Sequence, residues 1–100
     1  MTLPRTQLLE EAANLITGDR EEQYGDPAVC LDRTARGWSI ILEDKLRPGV
    51  TIDPHEVALL NDWQKTVRIV ETPGKADSWR DKLGFTAIGW EALTKLWPAK

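Results

Sequence analysis

Three groups of polar residues in this 100-residue sequence have types and spacings suited to chemistry. The first is the run Gly18-Asp19-Arg20-Glu21-Glu22-Gln23-Tyr24-Gly25-Asp26. It mixes two glycines, an arginine, a tyrosine and several carboxylates, the composition of a binding loop at a helix end. A helix stop, a turn and a cap would account for Gly18, Gly25 and Asp26 alone, leaving Arg20 and Tyr24 unexplained. The second group is Asn61, Lys65 and Arg68, which fall within roughly 60° of one another on a helix, with Asp62 at the border of an apolar stripe. A compact ammonium and a forked guanidinium one turn apart suit a phosphate; a solvated polar face would carry the same residues. The third is Asp77 and Asp81, four apart and so on one helical face, where like charges repel unless a cation stands near. Magnesium held by carboxylates and substrate phosphates is one such cation. Attraction to a helix N-terminus is the competing explanation and suits Asp77 better.

Helices must position these groups. Leu8, Leu9, Ala12, Leu15 and Ile16 recur at helical spacing after candidate caps at Thr2 or Thr6, and Gly18 supplies a left-handed stop. Asp26-Pro27 opens a second helix with the stripe Ala28, Leu31, Ala35, Trp38 and Leu42, expected to end near residues 43–46 ahead of Arg47-Pro48-Gly49. Asp53-Pro54-His55-Glu56 carries the signature of a capping box. The helix it opens runs to about Glu71, with Leu59, Leu60, Trp63, Val67 and Val70 as its expected core face, until Thr72-Pro73-Gly74 breaks it.

A fourth helix, capped by Asp77 or Ser78 and ended by Pro98, carries the main stripe Trp79, Leu83, Thr86, Trp90, Leu93 and Trp97. A second, nearly opposite face holds Phe85, Ile88, Ala92 and Leu96. Gly84 and Gly89 each cost ~1 kcal/mol inside a helix, which points to close approach by another helix or a ligand. Gly49-Val50-Thr51-Ile52 reads as loop, the alternative being one short extended pairing. The expectation is an all-α bundle of about four helices, a single domain over residues 1–100.

One core must serve a chain of this size, and five tryptophans are more bulk than it easily hides. A helical oligomer is therefore expected. A symmetric dimer is favoured, with the Phe85, Ile88, Ala92 and Leu96 face in its seam and Gly84 and Gly89 at the crossing. Thirteen basic against sixteen acidic side chains, net −3, argue against duplex DNA as the main partner. The single cysteine, Cys30, cannot close an intramolecular disulfide and reads as a small core residue. His55 has no second histidine or thiol to share a transition metal and reads as structural. No apolar run approaches the ~20 residues needed to span a bilayer, and no leader precedes the first helix, so a cytoplasmic protein is expected.

The pieces Leu15-Ile16-Thr17-Gly18-Asp19-Arg20, Tyr24-Gly25-Asp26, Trp38-Ser39, Val57-Ala58-Leu59, Asp62, Lys65, Arg68, Asp77-Ser78-Trp79 and Asp81-Lys82-Leu83-Gly84, in that order, resemble a family of short phage and prophage proteins of undetermined function. That family is similar in layout to the all-helical nucleoside triphosphate pyrophosphohydrolases of the MazG and dUTPase kind. In place of their Glu-x-x-Glu this sequence offers Asp62, Asp77 and Asp81, with Glu11 and Asp32 as outside candidates.

The resemblance implies a Mg2+-dependent enzyme acting on a deoxynucleoside triphosphate in the cytoplasm of an infected or lysogenic bacterium. Asp62, Asp77 and Asp81 would place the metal, and Asp62, Lys65 and Asp81 would serve the chemistry. Asp19, Arg20, Tyr24, Lys65 and Arg68 would hold the substrate, with Tyr24 or Trp38 against the base. Two alternatives are a phage protein that sequesters a nucleotide or nucleotide-derived signal without catalysis, and a small regulatory protein that docks a host protein.

Overall fold

The computed structural model describes residues 3–18, 22 and 25–96. Four long helices account for most of them: α1 (Pro4–Leu15), α2 (Pro27–Ile41), α3 (Pro54–Glu71) and α4 (Ala76–Leu96). No strand occurs among the described residues, and residues 50–52 are loop. No described helix is long and apolar enough to cross a membrane.

The starts of the helices follow from their first residues. A proline stands in the first turn of α1, α2 and α3, where its missing N–H costs nothing. At α2 the Asp26 carboxylate accepts from the Ala28 amide at 2.9 Å. At α3 the Glu56 carboxylate accepts from the Asp53 amide at 2.9 Å, completing a capping box. Helix α1 differs from expectation: Leu3 occupies the N-cap without a side-chain bond, and Pro4 starts the helix, so Thr6 lies inside it. Helix α4 begins at Ala76, which places Asp77 and Ser78 in its first turn instead of at its cap. Gly18 and Gly25 bracket the α1–α2 connector with φ of 64° and 79°, a backbone that only glycine adopts without strain.

Helices α3 and α4 form an antiparallel hairpin through the turn at residues 72–75, and the hairpin is the centre of the molecule. Helix α2 packs on both of its members and α1 packs on α4. The core is built mostly from small side chains: Ala28 and Ala35 of α2, Val57 and Ala58 of α3 and Ala92 of α4, together with the larger Leu31 of α2, and Trp38, Ile52 and Ile88 pack against them. Ser39 fixes the α2–α3 crossover, donating to the Ala35 carbonyl at 2.7 Å and accepting from the Ile52 amide at 2.8 Å.

Two apolar faces are reversed from the sequence expectation. On α3 the buried residues are Val57, Ala58 and Asp62, whereas Leu59, Leu60, Trp63, Val67 and Val70 face solvent. On α4 the face holding Phe85, Ile88 and Ala92 turns into the chain's own core, and Trp79 and Trp90 of the main stripe are exposed. Gly84 and Gly89 are both buried inside this one chain. A β-carbon at Gly84 would stand 3.0 Å from Ile16 Cγ2 of the segment after α1, and one at Gly89 would stand 2.7 Å from Ala58 Cβ of α3. These glycines therefore permit close crossings within the chain, not across a dimer seam.

Candidate functional site

Between the end of α1 and the facing sides of α2, α3 and α4 lies a cleft of about 300 Å³. Its floor is apolar, formed by Leu31, Val57, Phe85 and Ile88, with Ile16 at one side. Asn61 of α3 and Cys30 and Thr34 of α2 supply its polar lining, and Gly25 and Pro27 form its rim next to the connector. Cys30 is exposed on this wall rather than buried in the core, because on α2 the inward arc belongs to Ala28, Leu31 and Ala35. A second hollow shares Ile16, Phe85 and Ile88 with the first and extends it to Lys65 and Asp81.

Lys65 and Asp81 meet there as an ion pair across the α3–α4 seam, Nζ to Oδ2 at 3.1 Å. The Lys65 side chain is only 16% exposed, so it stands at the mouth of the cleft and not on a solvated outer face. Arg68, one turn further along α3, is exposed. Asn61 and Lys65 thus flank the same cleft, as their shared helical arc requires.

Asp62 takes a different place. It is 9% exposed, at the seam between α3 and α4, where Lys82 and the Thr86 hydroxyl both donate to its carboxylate. Burial alone would raise its pKa. The hydrogen bonds from Lys82 and Thr86 and the Lys82 charge outweigh that effect and hold the carboxyl below its ordinary value. Asp77 lies on the opposite side of α4, paired with Arg80, whose guanidinium also reaches Glu11 of α1 at 2.9 Å. Those two hydrogen bonds, the Glu11 one foremost, keep the Arg80 pKa above its usual value.

Asp77 and Asp81 line one shallow hollow with Glu11, Asn14, Leu15 and Arg80. The three aspartates expected at the metal are therefore divided, with Asp62 in the seam and the other two beside α1. Asp32 lies on α2, paired with Arg36. Each of these acidic groups already has a cationic partner, and no group of three or more histidine, cysteine, aspartate or glutamate side chains among the described residues could hold a metal ion. Asp19, Arg20 and Tyr24 lie outside the described residues.

Sequence reasoning missed the apolar cleft itself. In the sequence Ile16 and Leu31 belong to separate core stripes and Phe85 to the face expected in a dimer seam; the close approach at Gly84 brings the end of α1 to α4 beside α2. It also missed Lys82, whose signal was its spacing: Lys82, Thr86 and Gly89 follow one another at helical intervals and meet Ala58 and Asp62 across the seam.

A family model described as a domain of unknown function matches residues 7–93 of the chain. No curated protein and no solved structure matches it.

Proposed function

We propose that this chain, which belongs to the DUF6378 family, binds a nucleotide or nucleotide-derived small molecule in the cleft between α1, α2, α3 and α4. The observation that carries the reading is the pairing of an apolar cleft of about 300 Å³ with Lys65 and Asn61 at its edge. A nucleobase is flat and mostly apolar on its faces, and matches Leu31, Val57, Phe85 and Ile88. Its edge would find Asn61 and the Thr34 hydroxyl, and its phosphates would extend toward Lys65 and Arg68. Asp81 pairs with Lys65, so an incoming phosphate competes with one carboxylate for that ammonium.

Sequestration without catalysis is the form of this reading that the geometry favours, because Glu11, Asp62, Asp77 and Asp81 all engage cationic side chains. A magnesium-dependent phage-type pyrophosphohydrolase is the second reading. It is favoured by one observation, that Glu11, Asp77 and Asp81 line one hollow adjoining Lys65. Those oxygens suit magnesium in kind, but as they stand they do not converge on a metal position, and they would first have to release Arg80 and Lys65 and move together.

Calorimetry of the full chain against the four deoxynucleoside triphosphates and their monophosphates, in excess chelator, tests the proposal. Binding is expected, weakened about tenfold or more by Lys65→Met while the melting curve shows the variant folded. No binding of any of the eight compounds, with chelator or with magnesium, would refute it. Release of pyrophosphate on adding magnesium would select the second reading.

A further inference from the structure

The outer face of the α3–α4 hairpin, on the side away from α1 and α2, carries large apolar side chains with little to cover them. On α3, Leu59, Trp63, Val67 and Val70 fall within one arc of roughly 100° directly opposite the buried arc of Val57 and Ala58. On α4, Trp79 and Trp90 share an arc that begins where the contacts of Lys82, Thr86 and Gly89 with α3 end. The antiparallel pairing of Ala58 with Gly89 and of Asp62 with Thr86 puts Trp63 level with residue 85 of α4, near the middle of the hairpin, and Trp90 level with Val57 and Ala58, about one and a half turns nearer its open end. Trp63 is 69% exposed and Trp90 67%. Trp79 donates its indole N–H to the Pro73 carbonyl at 2.9 Å, which holds its ring at the turn end of the same face.

We infer that a second copy of the chain covers this face, two hairpins packing across a two-fold axis through the Trp63 and Trp90 side chains. Three observations select a copy over another occupant. The first is area: at the exposures of these six side chains, the face amounts to on the order of 700 Å², close to the ~800 Å² that each partner contributes to a standard stable interface. The second is the surface of the whole chain, 7569 Å², about a third more than the roughly 5,700 Å² of a monomeric protein of 11.3 kDa. Its radius of gyration, 15.1 Å, likewise exceeds the ~13 Å of a closed domain of this length.

The third is chemistry. The arc from Leu59 to Val70 contains no charged side chain, and the chain is net acidic. Nucleic acid and anionic lipid both need basic groups on the face they meet, whereas an uncharged apolar face complements itself across a two-fold axis. The cleft lies on the other side of the hairpin, so the dimer leaves it open, and its test is independent of ligand binding.

Sedimentation velocity of the full chain at about 10 µM should give twice 11.3 kDa. Trp63→Glu and Trp90→Glu should each raise the dimer dissociation constant at least about 100-fold with unchanged helical circular dichroism, because both side chains are already mostly in water in the single chain. Should either variant unfold, dilution of the wild type decides: tryptophan emission must shift to the red over the same concentrations at which the mass halves. A monomer at about 100 µM, a dimer indifferent to both substitutions, an emission maximum unmoved by dissociation, or a monomer that floats with phosphatidylglycerol vesicles would each overturn the inference.

Discussion

Gly89 of α4 crosses Ala58 of α3 so closely that a β-carbon on the glycine would lie 2.7 Å from that of the alanine, nearer than two such atoms can stand. Ala58 is fully buried and its methyl cannot rotate away, so the helices themselves must part to admit any larger residue.

Gly89→Ala should therefore destabilise the protein. The gain in helix propensity, ~1 kcal/mol, is set against an overpacking cost of about 1–3 kcal/mol at a rigid contact. Gly84→Ala meets only the Cγ2 methyl of Ile16, a half-buried side chain, at 3.0 Å, and should cost less. Urea unfolding of the two variants side by side checks the order. Equal effects would mean that the α3–α4 crossing is not as tight as described.

Asp62→Asn should lower stability by about 1.5–3 kcal/mol near neutral pH, the range of hydrogen bonds to a charged group. Folding depresses the Asp62 pKa, so the unfolded chain takes up its proton more readily. The contribution is complete above about pH 4 and disappears as pH falls through the lower folded value. The gap between wild type and variant, measured in urea near pH 7 and again near pH 3, should narrow in acid. A variant as stable as the wild type at neutral pH would return Asp62 to the list of groups held for chemistry.

Ser39→Ala removes the hydroxyl that both anchors to the α2 backbone and receives the Ile52 amide. Loss of about 1 kcal/mol is expected, a fall in Tm of roughly 4–8 °C for a chain of this length, with binding in the cleft retained. Thermal melts followed by ligand titration separate the two effects.

The helices were legible in the sequence because their punctuation is local: Asp26-Pro27, Asp53-Pro54 and Gly18 act through their own backbone and need no distant partner. The faces were not. On α3 two apolar arcs compete, and bulk favours Leu59, Trp63 and Val67, yet the core takes Val57 and Ala58 because a hairpin crossing at glycine leaves room only for small side chains. Lys65 and Asp81 stand out in the sequence as residue types able to do chemistry, but the sequence does not reveal that they face one another. Asp62 reads as a border residue on one helix, and its burial becomes intelligible only when Lys82 and Thr86 are brought up from the other.

The hairpin is crossed by two ion pairs of opposite sense. Helix α3 gives the base in one, Lys65 to Asp81, and the acid in the other, Asp62 to Lys82. Sliding α4 by one turn would set Ser78 or Thr86 where Lys82 now stands, leaving the buried Asp62 charge without its cation in either direction. The pairs act as a key to alignment: a small-residue seam of alanine and glycine is smooth enough to slip, and the crossed charges give it one resting position.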